Sequence, residues 1–468
     1  MKKLLLITVC ACGYLLGNAQ GTDDYAVPQI VDYMVSQRIS ADGTWIAGQD
    51  VYGALLYRYN TSTKELNEFV SMYTGIGNCV SNTGIIVGQD IGGYDQHAAI
   101  VYRNRNYIPP ALEGIGTSSL DGITPDGRRA VGFLTNPLGG VMYIPFYCNI
   151  SASGIVGDPQ PLPYPSRDVT GSTPQLVKAL WISDDGNTIA GLVTTGSGFY
   201  DYPIIFQMNE KKEWSYKIPS ALTQNNRGMY PFMANMALSA DGKTLFLCQA
   251  RNSDDSPSTV IDDLKPYVYD IENDILTEIE TDIEMLIPIQ ILEDGSLLAA
   301  TYIRAFMPLV SYIKTPDSDK FIKFTDYVMD AKPEIYPWLE DTLGEFGVIG
   351  YDENSQPIYG EYIITGNVYA SSDLSVITGG YSFGDGFSYI FTDEEINQPE
   401  PDPDPEPEPE PEDPPTDGIQ YVSNDIDFNT AVEVYDITGR KILSNSNKEE
   451  LKNLPKGIYI VNGKKLKI

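Results

Sequence analysis

One short pattern recurs along this chain and constrains its fold more than any other feature. It consists of an apolar run, a serine or threonine, a tight turn that usually contains Asp-Gly, and a second apolar run, and it first appears at residues 39–50 as ISADGTWIAGQD. Further copies begin at Val80, Ile123, Ile182, Leu238, Ile291 and Ala370. Because Asp-Gly supplies the positive φ of a two-residue hairpin turn at little steric cost, each copy predicts two short antiparallel strands.

The spacing of the copies and the segments between them predict the architecture. Successive turns lie 41 to 79 residues apart, which suits four-stranded blades with loops of different lengths. A third apolar segment follows each hairpin, beginning at Gly53, His97, Val141, Tyr202, Lys265, Met307 and Phe387. A weaker fourth segment usually comes next. We therefore predict an all-β fold in which residues 22–396 form a seven-bladed β-propeller.

The repeats resemble the HAF-type extracellular repeat of bacterial surface proteins, in which S-x-D-G precedes an apolar run ending in glycine and a later strand that carries alanine and an aromatic residue. The first two copies carry the resemblance through Ser40, Asp42, Gly43, Gly48, Ala54 and Tyr57, and through Ser81, Gly84, Gly88, His97, Ala98 and Tyr102. Residues 338–391 are also similar, whereas Leu247 and Ala300 replace the family glycine in two copies. The resemblance implies an exported propeller and no catalytic residues to carry over.

Two segments outside the repeats have predicted roles in the propeller. Residues 25–35 carry spaced apolar side chains before the first hairpin, and the last repeat lacks an outer strand after Phe391. We expect the N-terminal segment to supply that strand and close the ring. Between the sixth and seventh repeats, Ile335, Trp338 and Leu339 recur at helical spacing before Gly344, which predicts a short amphipathic helix.

The N-terminal residues 1–19 have two lysines, an apolar core and a small-residue site, which predicts a secretory signal peptide cleaved after Ala19. A lipoprotein signal that uses Cys10 or Cys12 is the alternative. No other segment has the roughly 18 continuous apolar residues of a membrane span, so we expect none in the mature chain. Residues 397–417, rich in alternating proline and acidic residues, predict an extended solvated linker.

The C-terminal residues 418–468 closely resemble the sorting domains used by type IX secretion. The matching positions lie in VYDITGRKIL and LPKGIYIVNGKKLKI and include Tyr435, Asp436, Gly439, Arg440, Leu454, Gly457 and Tyr459. The resemblance implies a small immunoglobulin-like β-sandwich that engages the secretion machinery, although this copy is shortened at its start. The protein would then be secreted or held on the outer-membrane surface of a Gram-negative bacterium after passing through the periplasm.

Composition excludes several functions. The net charge of −33 argues against a nucleic-acid partner, which requires a basic footprint. His97 is the one histidine of the chain, so a multi-histidine metal site is impossible, and its position favours a structural role. Cys79, Cys148 and Cys248 lie in or near predicted strands and are expected to be buried free thiols. We therefore predict no metal, no cofactor and no catalytic residues; the acidic residues of 252–263 lack a known calcium-binding spacing.

The predicted binding face lies opposite the Asp-Gly turns, where the loops after the second strands converge. Gln49-Asp50 recurs there as Gln89-Asp90, with aromatic residues nearby. Aromatic faces beside amides and carboxylates suit sugar hydroxyls or peptide segments, although duplication alone also explains the repeated Gln-Asp. The predicted binding residues are Gln49, Asp50, Tyr52, Gln89, Asp90, Tyr94, Tyr200, Tyr202, Tyr302 and Phe306.

The function expected from these features is non-enzymatic binding of an extracellular glycan, peptide or partner protein through one propeller face. The alternative is an extracellular carbohydrate-active enzyme, hydrolase or lyase, that uses paired carboxylates in the propeller funnel. It stays open because 64 acidic residues offer many pairs and sequence does not reveal their separation. Acidic and arginine side chains clustered in the funnel would favour the enzyme, and a flat aromatic rim would favour binding.

Overall fold

The computed structural model describes residues 27–392 and parts of the C-terminal region. The gaps are 54, 71–73, 93–94, 104, 113–115, 136–142, 167–173, 196–200, 221–235, 251–263, 284–285, 304–306, 352–355 and 383; the C-terminal parts are 420–421, 432–436, 441–446, 454, 458–461 and 464–467. The chain divides into two compact units after Asn397. The predicted signal peptide and linker lie outside the described residues.

The first unit consists almost entirely of short strands. In chain order they are β1 (Gln29–Asp32), β2 (Val35–Ile39), β3 (Trp45–Gln49), β4 (Leu55–Asn60), β5 (Leu66–Val70), β6 (Thr74–Val80), β7 (Ile86–Gly92), β8 (Asp95–Tyr102), β9 (Arg105–Tyr107), β10 (Ser118–Ile123), β11 (Arg129–Thr135), β12 (Tyr143–Asn149), β13 (Gln160–Pro161), β14 (Pro174–Ile182), β15 (Thr188–Thr195), β16 (Asp201–Met208), β17 (Trp214–Lys217), β18 (Met236–Leu238), β19 (Thr244–Ala250), β20 (Leu264–Asp270), β21 (Ile275–Glu278), β22 (Ile287–Ile291), β23 (Leu297–Ile303), β24 (Met307–Lys314), β25 (Ile322–Lys323), β26 (Gly344–Tyr351), β27 (Pro357–Ile363), β28 (Val368–Ala370), β29 (Val376–Tyr381) and β30 (Phe387–Thr392). A 3-10 turn spans Pro110–Leu112, and two helices are α1 (Phe324–Ala331) and α2 (Tyr336–Leu343).

The strands form a β-propeller, as the repeats predict, but its sheets are divided differently. Five separate four-stranded sheets are described: β2–β5, β6–β9, β18–β21, β22–β25, and β28–β30 with β1. The expected third and fourth blades instead share one eight-stranded sheet, β10–β17, joined where Tyr143 of β12 pairs in parallel with Leu176 of β14. The prediction of seven separate blades is therefore corrected. The cause is the short β13, which covers Phe146 and Tyr147 and leaves the edge of β12 at Tyr143 open.

The N-terminal strand closes the ring, as expected. β1 pairs antiparallel with β30, with Val31 opposite Ser388. Met34, between β1 and β2, is fully buried in a cluster that contains Ile46 of β3 and Ile390 of β30. Because the first and last sheets share this cluster, side-chain packing reinforces the backbone pairing of the closure.

The Asp-Gly turns are longer than predicted. The Ser40 N–H donates to the Trp45 carbonyl at 2.8 Å, and the Gly43 N–H donates to the Ser40 carbonyl at 2.9 Å, so four residues rather than two form the loop. The Ser40 hydroxyl donates to Asp42 Oδ1 at 2.7 Å and accepts the Trp45 N–H at 2.9 Å, and Asp42 Oδ1 accepts the Thr44 N–H at 3.0 Å. The serine and aspartate of the repeat are therefore loop-capping residues, and Gly43 supplies the positive φ of 73°.

The family glycine of the repeats has a steric cause. Five inner strands carry β-bulges, with register shifts between Ser36 and Arg38, Gly77 and Cys79, Leu120 and Gly122, Ala179 and Trp181, and Pro288 and Gln290. A Cβ added at Gly132 of β11 would lie 1.9 Å from the Ser119 carbonyl oxygen of the bulged β10. Leu247 is accommodated in its copy because β18 pairs with β19 in continuous register.

Helix α2 confirms the predicted helix and ends at Leu343, before Gly344. It packs with α1, which the sequence analysis missed, against the last sheet: Phe324, Trp338 and Leu339 are buried in one cluster with Tyr389. The strands β26 and β27 that follow form a two-stranded sheet. None of the described helices has the length and apolar composition needed to cross a bilayer.

The second unit contains one described five-stranded sheet in the order β31-β35-β34-β32-β33. The bounds of its strands are β31 (Gln420–Tyr421), β32 (Val432–Asp436), β33 (Lys441–Ser446), β34 (Ile458–Val461) and β35 (Lys464–Lys467). Val434 and Val461, which pair across β32 and β34, are fully buried. An immunoglobulin-like sandwich needs a second sheet, which the described part of this unit does not include.

Candidate functional site

The inner strands of the propeller surround a central channel. Its cavity has a volume of about 280 Å³, and every sheet of the ring contributes lining residues from or beside its inner strand. Among the lining side chains, Asn78, Asp121, Leu180 and Ile289 are the extra residues of the bulges in β6, β10, β14 and β22, and Met236 begins β18. Bulges re-aim side chains and are frequent beside functional sites, so the same distortion that requires the glycines also shapes this channel.

Asp121 is the one carboxylate among the described residues that line the channel. Its Oδ1 accepts hydrogen bonds from Asn78 Nδ2 at 3.0 Å and from the Ser119 hydroxyl at 2.9 Å. Its Oδ2 is buried without a hydrogen-bond partner. Burial raises the pKa of Asp121 to about 7, against the opposing effects of the Ser119 hydrogen bond and of the charges on Lys178 and Arg38. This carboxyl therefore changes charge near neutral pH.

Arg38 of β2 is the cation of the channel. Its Nη1 donates to the Tyr369 hydroxyl at 2.9 Å and to the Gln37 carbonyl at 2.8 Å. Its guanidinium carbon lies 5.2 Å from the centre of the Tyr369 ring and 5.8 Å from that of Trp181. Two aromatic faces and two hydrogen bonds hold the side chain in place, so the positive charge is preorganised before any ligand enters.

The channel is chemically two-sided. Arg38, Asn78, Asp121 and Asn367 supply polar groups, and the Asn367 Oδ1 is buried without a hydrogen-bond partner. Leu180, Met236 and Ile289 supply an apolar wall from β14, β18 and β22. The repeats are alike in their turns and differ at the positions that face the channel, so this asymmetry is not a by-product of duplication.

A larger cleft of about 1220 Å³ opens on the face of the Asp-Gly turns, between the β18–β21 and β22–β25 sheets. Neighbouring turns elsewhere on this face are joined by hydrogen bonds: Asp42 to Asn82, Asn82 to Pro125, Arg129 to Gly186, Asp184 to Ala240, Glu293 to Ser372, and Ser372 to Ala41. Between the described turns at 239–242 and 292–295 no such bond is found. The cleft lies at this gap in the ring of turns.

Carboxylates dominate the cleft. Its acidic lining residues are Asp184, Asp185, Asp241, Glu278, Glu280, Glu293 and Asp319. Lys314 is the one cation in the lining, and its Nζ donates to the Ser318 carbonyl at 2.6 Å. No aromatic side chain belongs to the described lining. The cleft therefore presents a concentrated negative potential.

The pKa values of two neighbouring carboxyls in the cleft move in opposite directions. The pKa of Asp184 is raised by desolvation and by the negative charges of Asp185 and Glu293. Desolvation alone would raise the pKa of Asp185 as well, but hydrogen bonds from Ser183 and Asn187 outweigh it, and the net pKa is lowered. A positive charge placed in the cleft would relieve the repulsion that raises the pKa of Asp184.

Of the predicted binding residues whose side chains are described, none lines either cavity; these are Gln49, Asp50, Tyr52, Gln89 and Tyr202. Gln49 ends β3, Gln89 and Asp90 lie within β7, and Tyr302 lies within β23, so these four are strand residues rather than the loop residues that we predicted. Tyr202 lies within β16, the third apolar segment of its repeat, as we predicted. The strands extend further than expected because the hairpins on this face are tight. Asp50 Oδ1 accepts the Leu55 N–H at 2.8 Å and shapes its turn, and Tyr52 is 81% exposed. Tyr94, Tyr200 and Phe306 lie outside the described residues. The predicted site stays a prediction.

Neither cavity was predicted from the sequence, although signals for both exist. The carboxylates Asp184, Asp185 and Asp241 belong to turns that we read only as hairpin chemistry. Asp121 stands between Leu120 and Gly122-Ile123 in a predicted strand, which is an available signal for a buried charge. Cys148 and Cys248 are buried free thiols as expected, and Cys79 is a half-buried free thiol that lines the channel.

The chain matches no known protein-family model and no curated protein. Solved structures that are similar include hydrazine synthase from Kuenenia stuttgartiensis, with 13% identity over 81% of this chain and 99% of that chain and a TM-score of 0.44. The β-propeller domain of the trilobed protease from Pyrococcus furiosus has 10% identity over 77% and 82% of the two chains and a TM-score of 0.38. Virginiamycin B lyase from Staphylococcus aureus has 12% identity over 79% and 96%, with a TM-score of 0.38.

Proposed function

We propose that this protein is an exported, non-enzymatic binding protein whose propeller holds a basic segment of a partner protein or peptide in the acidic cleft between the β18–β21 and β22–β25 sheets. The observation that carries this proposal is the lining of seven carboxylates and one lysine around about 1220 Å³. Like charges held together by a rigid scaffold repel one another, and lysine or arginine side chains of a partner remove that repulsion and steer its approach.

The lining also favours one class among the expected partners. Sugar rings are commonly bound against aromatic faces, and the described cleft has none. The backbone of the turns at 239–242 and 292–295 is not joined across the gap, which leaves room for an extended chain to lie between the two sheets. A peptide with several basic residues fits these features better than a neutral glycan does.

A direct binding measurement tests the proposal. Fluorescent peptides that alternate Arg or Lys with small residues should bind the full chain, whereas peptides with Glu in the same positions should not. The double variant Asp184→Asn with Glu293→Gln should weaken binding at least tenfold. The affinity of the parent should also fall steeply between 50 and 500 mM NaCl, because the Debye length is about 8 Å at physiological ionic strength and becomes shorter as salt is added.

The matched control removes two charges elsewhere. Asp158→Asn with Glu210→Gln, both exposed and outside the cleft lining, changes the net charge equally and should leave the affinity within twofold. Equal losses in the two double variants would mean that net charge, not the cleft, attracts the peptide, and the proposal would be abandoned.

Export to the cell surface is the second part of the proposal. Its support is the N-terminal pattern of lysines and apolar residues, the HAF-like repeats, and the resemblance of 418–468 to type IX sorting domains. Deleting residues 418–468 should leave the propeller in the periplasm of a type IX-secreting host, as detected by fractionation and surface proteolysis. Surface exposure of the truncated chain would refute a sorting role for this unit.

A carbohydrate-active enzyme remains the second candidate, now with the cleft as its site. Two neighbouring carboxyls with pKa values displaced in opposite directions are an arrangement that hydrolases use for an acid and a base, and Asp184 and Asp185 have it. The channel offers a single described carboxylate, Asp121, and so lacks the pair that this chemistry needs. Turnover of an acid-labile or cationic oligosaccharide that Asp184→Asn abolishes would establish this candidate over the first.

A further inference from the structure

The central channel carries an inference of its own, separate from the cleft. Two buried acceptors, Asp121 Oδ2 and Asn367 Oδ1, border this cavity without hydrogen-bond partners. A buried acceptor without a partner costs about 1–3 kcal/mol, and more when it is charged, so such groups call for an explanation. A ligand that donates hydrogen bonds to both acceptors would explain why they lack partners within the protein.

A positively charged side chain, Arg38, lines the same cavity. The Arg38 guanidinium is fixed by the Tyr369 hydroxyl and by two aromatic rings, and it faces the channel without a salt-bridge partner among the described residues. One preorganised positive charge and one carboxylate in a small cavity are complementary to a ligand that carries both charges. A ligand with a single charge would leave one of the two side chains unmatched.

The apolar part of the lining indicates the chemistry of the uncharged part of the ligand. Leu180, Met236 and Ile289 are apolar and supply no hydrogen bond from their side chains. The cavity of about 280 Å³ corresponds to roughly nine water molecules at about 30 Å³ each, or about nine non-hydrogen atoms. Leucine and methionine have that size, a zwitterionic head and an apolar side chain.

We propose that the central channel binds one free apolar α-amino acid, with its ammonium group donating to Asp121 and Asn367, its carboxylate on Arg38 and its side chain against Leu180, Met236 and Ile289. This inference does not rest on the peptide-binding cleft, because the described linings of the two cavities share no residue. Bulges in β10, β14 and β22 place Asp121, Leu180 and Ile289 at the channel, and Arg38 follows the bulge of β2.

Calorimetric titration of the full chain tests the proposal with the ligands themselves. L-Leucine and L-methionine should bind. The analogues 4-methylpentanoate and 3-methylbutylamine each lack one charged group and should bind at least tenfold more weakly. L-Aspartate and L-lysine should not bind. Asp121→Asn and Arg38→Gln should each weaken leucine binding at least tenfold, and the exposed control Asp158→Asn should leave it within twofold.

Cys79 provides a second measurement that does not depend on the variants. This thiol lines the channel, and burial raises its pKa, so a small uncharged alkylating reagent should label it slowly at pH 8.5 and more slowly still when leucine is present. Protection at leucine concentrations that match the calorimetric affinity supports the proposal. It is overturned if none of the twenty amino acids binds, if 4-methylpentanoate binds as tightly as leucine, or if a folded Asp121→Asn variant keeps the parent affinity.

Discussion

Replacing Met34 by alanine should destabilise the closure of the propeller. The side chain is fully buried between the first and last sheets, beside Ile46, Tyr57 and Ile390. It also fills the space above Gly48, whose Cβ, if present, would lie 2.5 Å from the Met34 Cγ. Met-to-Ala changes in cores cost about 2–5 kcal/mol, and strands anchored by backbone pairing on both sides of the site relax little into the cavity.

We expect Met34→Ala to lower the free energy of unfolding by about 3 kcal/mol. For a unit of roughly 370 residues, the entropy of unfolding of about 2 cal/mol/K per residue converts this to a fall in Tm of about 4 °C. Differential scanning calorimetry at one pH and one scan rate measures it. Met329→Ala is the matched control, because Met329 lies on α1 with 46% of its surface exposed and should change Tm by less than 1 °C.

Equal melting temperatures for the two methionine variants would refute the idea that packing at this junction holds the ring closed. Deleting residues 22–32 should lower Tm more than Met34→Ala does, because the deletion removes the β1–β30 pairing and buried Val31. A deletion variant as stable as the parent would contradict the closure itself.

Two further predictions concern the channel and the bulges. The raised pKa of Asp121, about 7, means that the folded protein holds this proton more tightly than the unfolded chain, so the stability due to this group is lost as pH rises from about 4 through 7. Asp121→Asn should therefore gain in Tm relative to the parent over that range, as measured by calorimetry between pH 4.5 and 8; a constant difference would contradict the raised pKa. Gly132→Ala should cost at least about 2 kcal/mol in urea unfolding, since its Cβ would meet a carbonyl oxygen of β10 at 1.9 Å. Ala299→Gly should cost about 1 kcal/mol, because Ala299 pairs with the residue before the β22 bulge as Gly132 does with the residue before the β10 bulge; similar losses would argue against the steric explanation.

The periodic part of the fold was predictable from the sequence because it is encoded locally. Each S-x-D-G turn makes its own capping hydrogen bonds, as Ser40 and Asp42 do, so a short window of sequence is enough to place a hairpin. The closure by β1 was also predictable, since seven repeats left one outer strand unassigned. The fusion of β12 with β14 was not, because it depends on how far the two-residue β13 covers the edge of its neighbour.

The candidate sites were less predictable for a related reason. The bulge that turns Asp121 toward the channel leaves no mark in the alternation of β10, and the gap beside Asp241 is the absence of a hydrogen bond that other turns make. Both depend on distances between sheets that are far apart in sequence. Gln49 and Gln89, by contrast, were predicted as binding residues because they repeat, and repeated residues belong to the strands and turns that the sheets have in common.

The division between repeated and unrepeated positions explains where function is to be sought in this chain. Turn serines such as Ser183 and Ser239 recur because they cap the loops, and Gly132 and Gly191 recur because a Cβ there would meet a carbonyl oxygen of the bulged strand beside it. Such positions serve folding first, although Asp185, Ser239 and Asp241 also line the acidic cleft. The bulge residues are free to differ because they point into the channel, and they do differ, from Asp121 to Ile289. The channel and the acidic cleft are therefore two cavities at which the described sheets depart from their common pattern, and we look there first for a ligand.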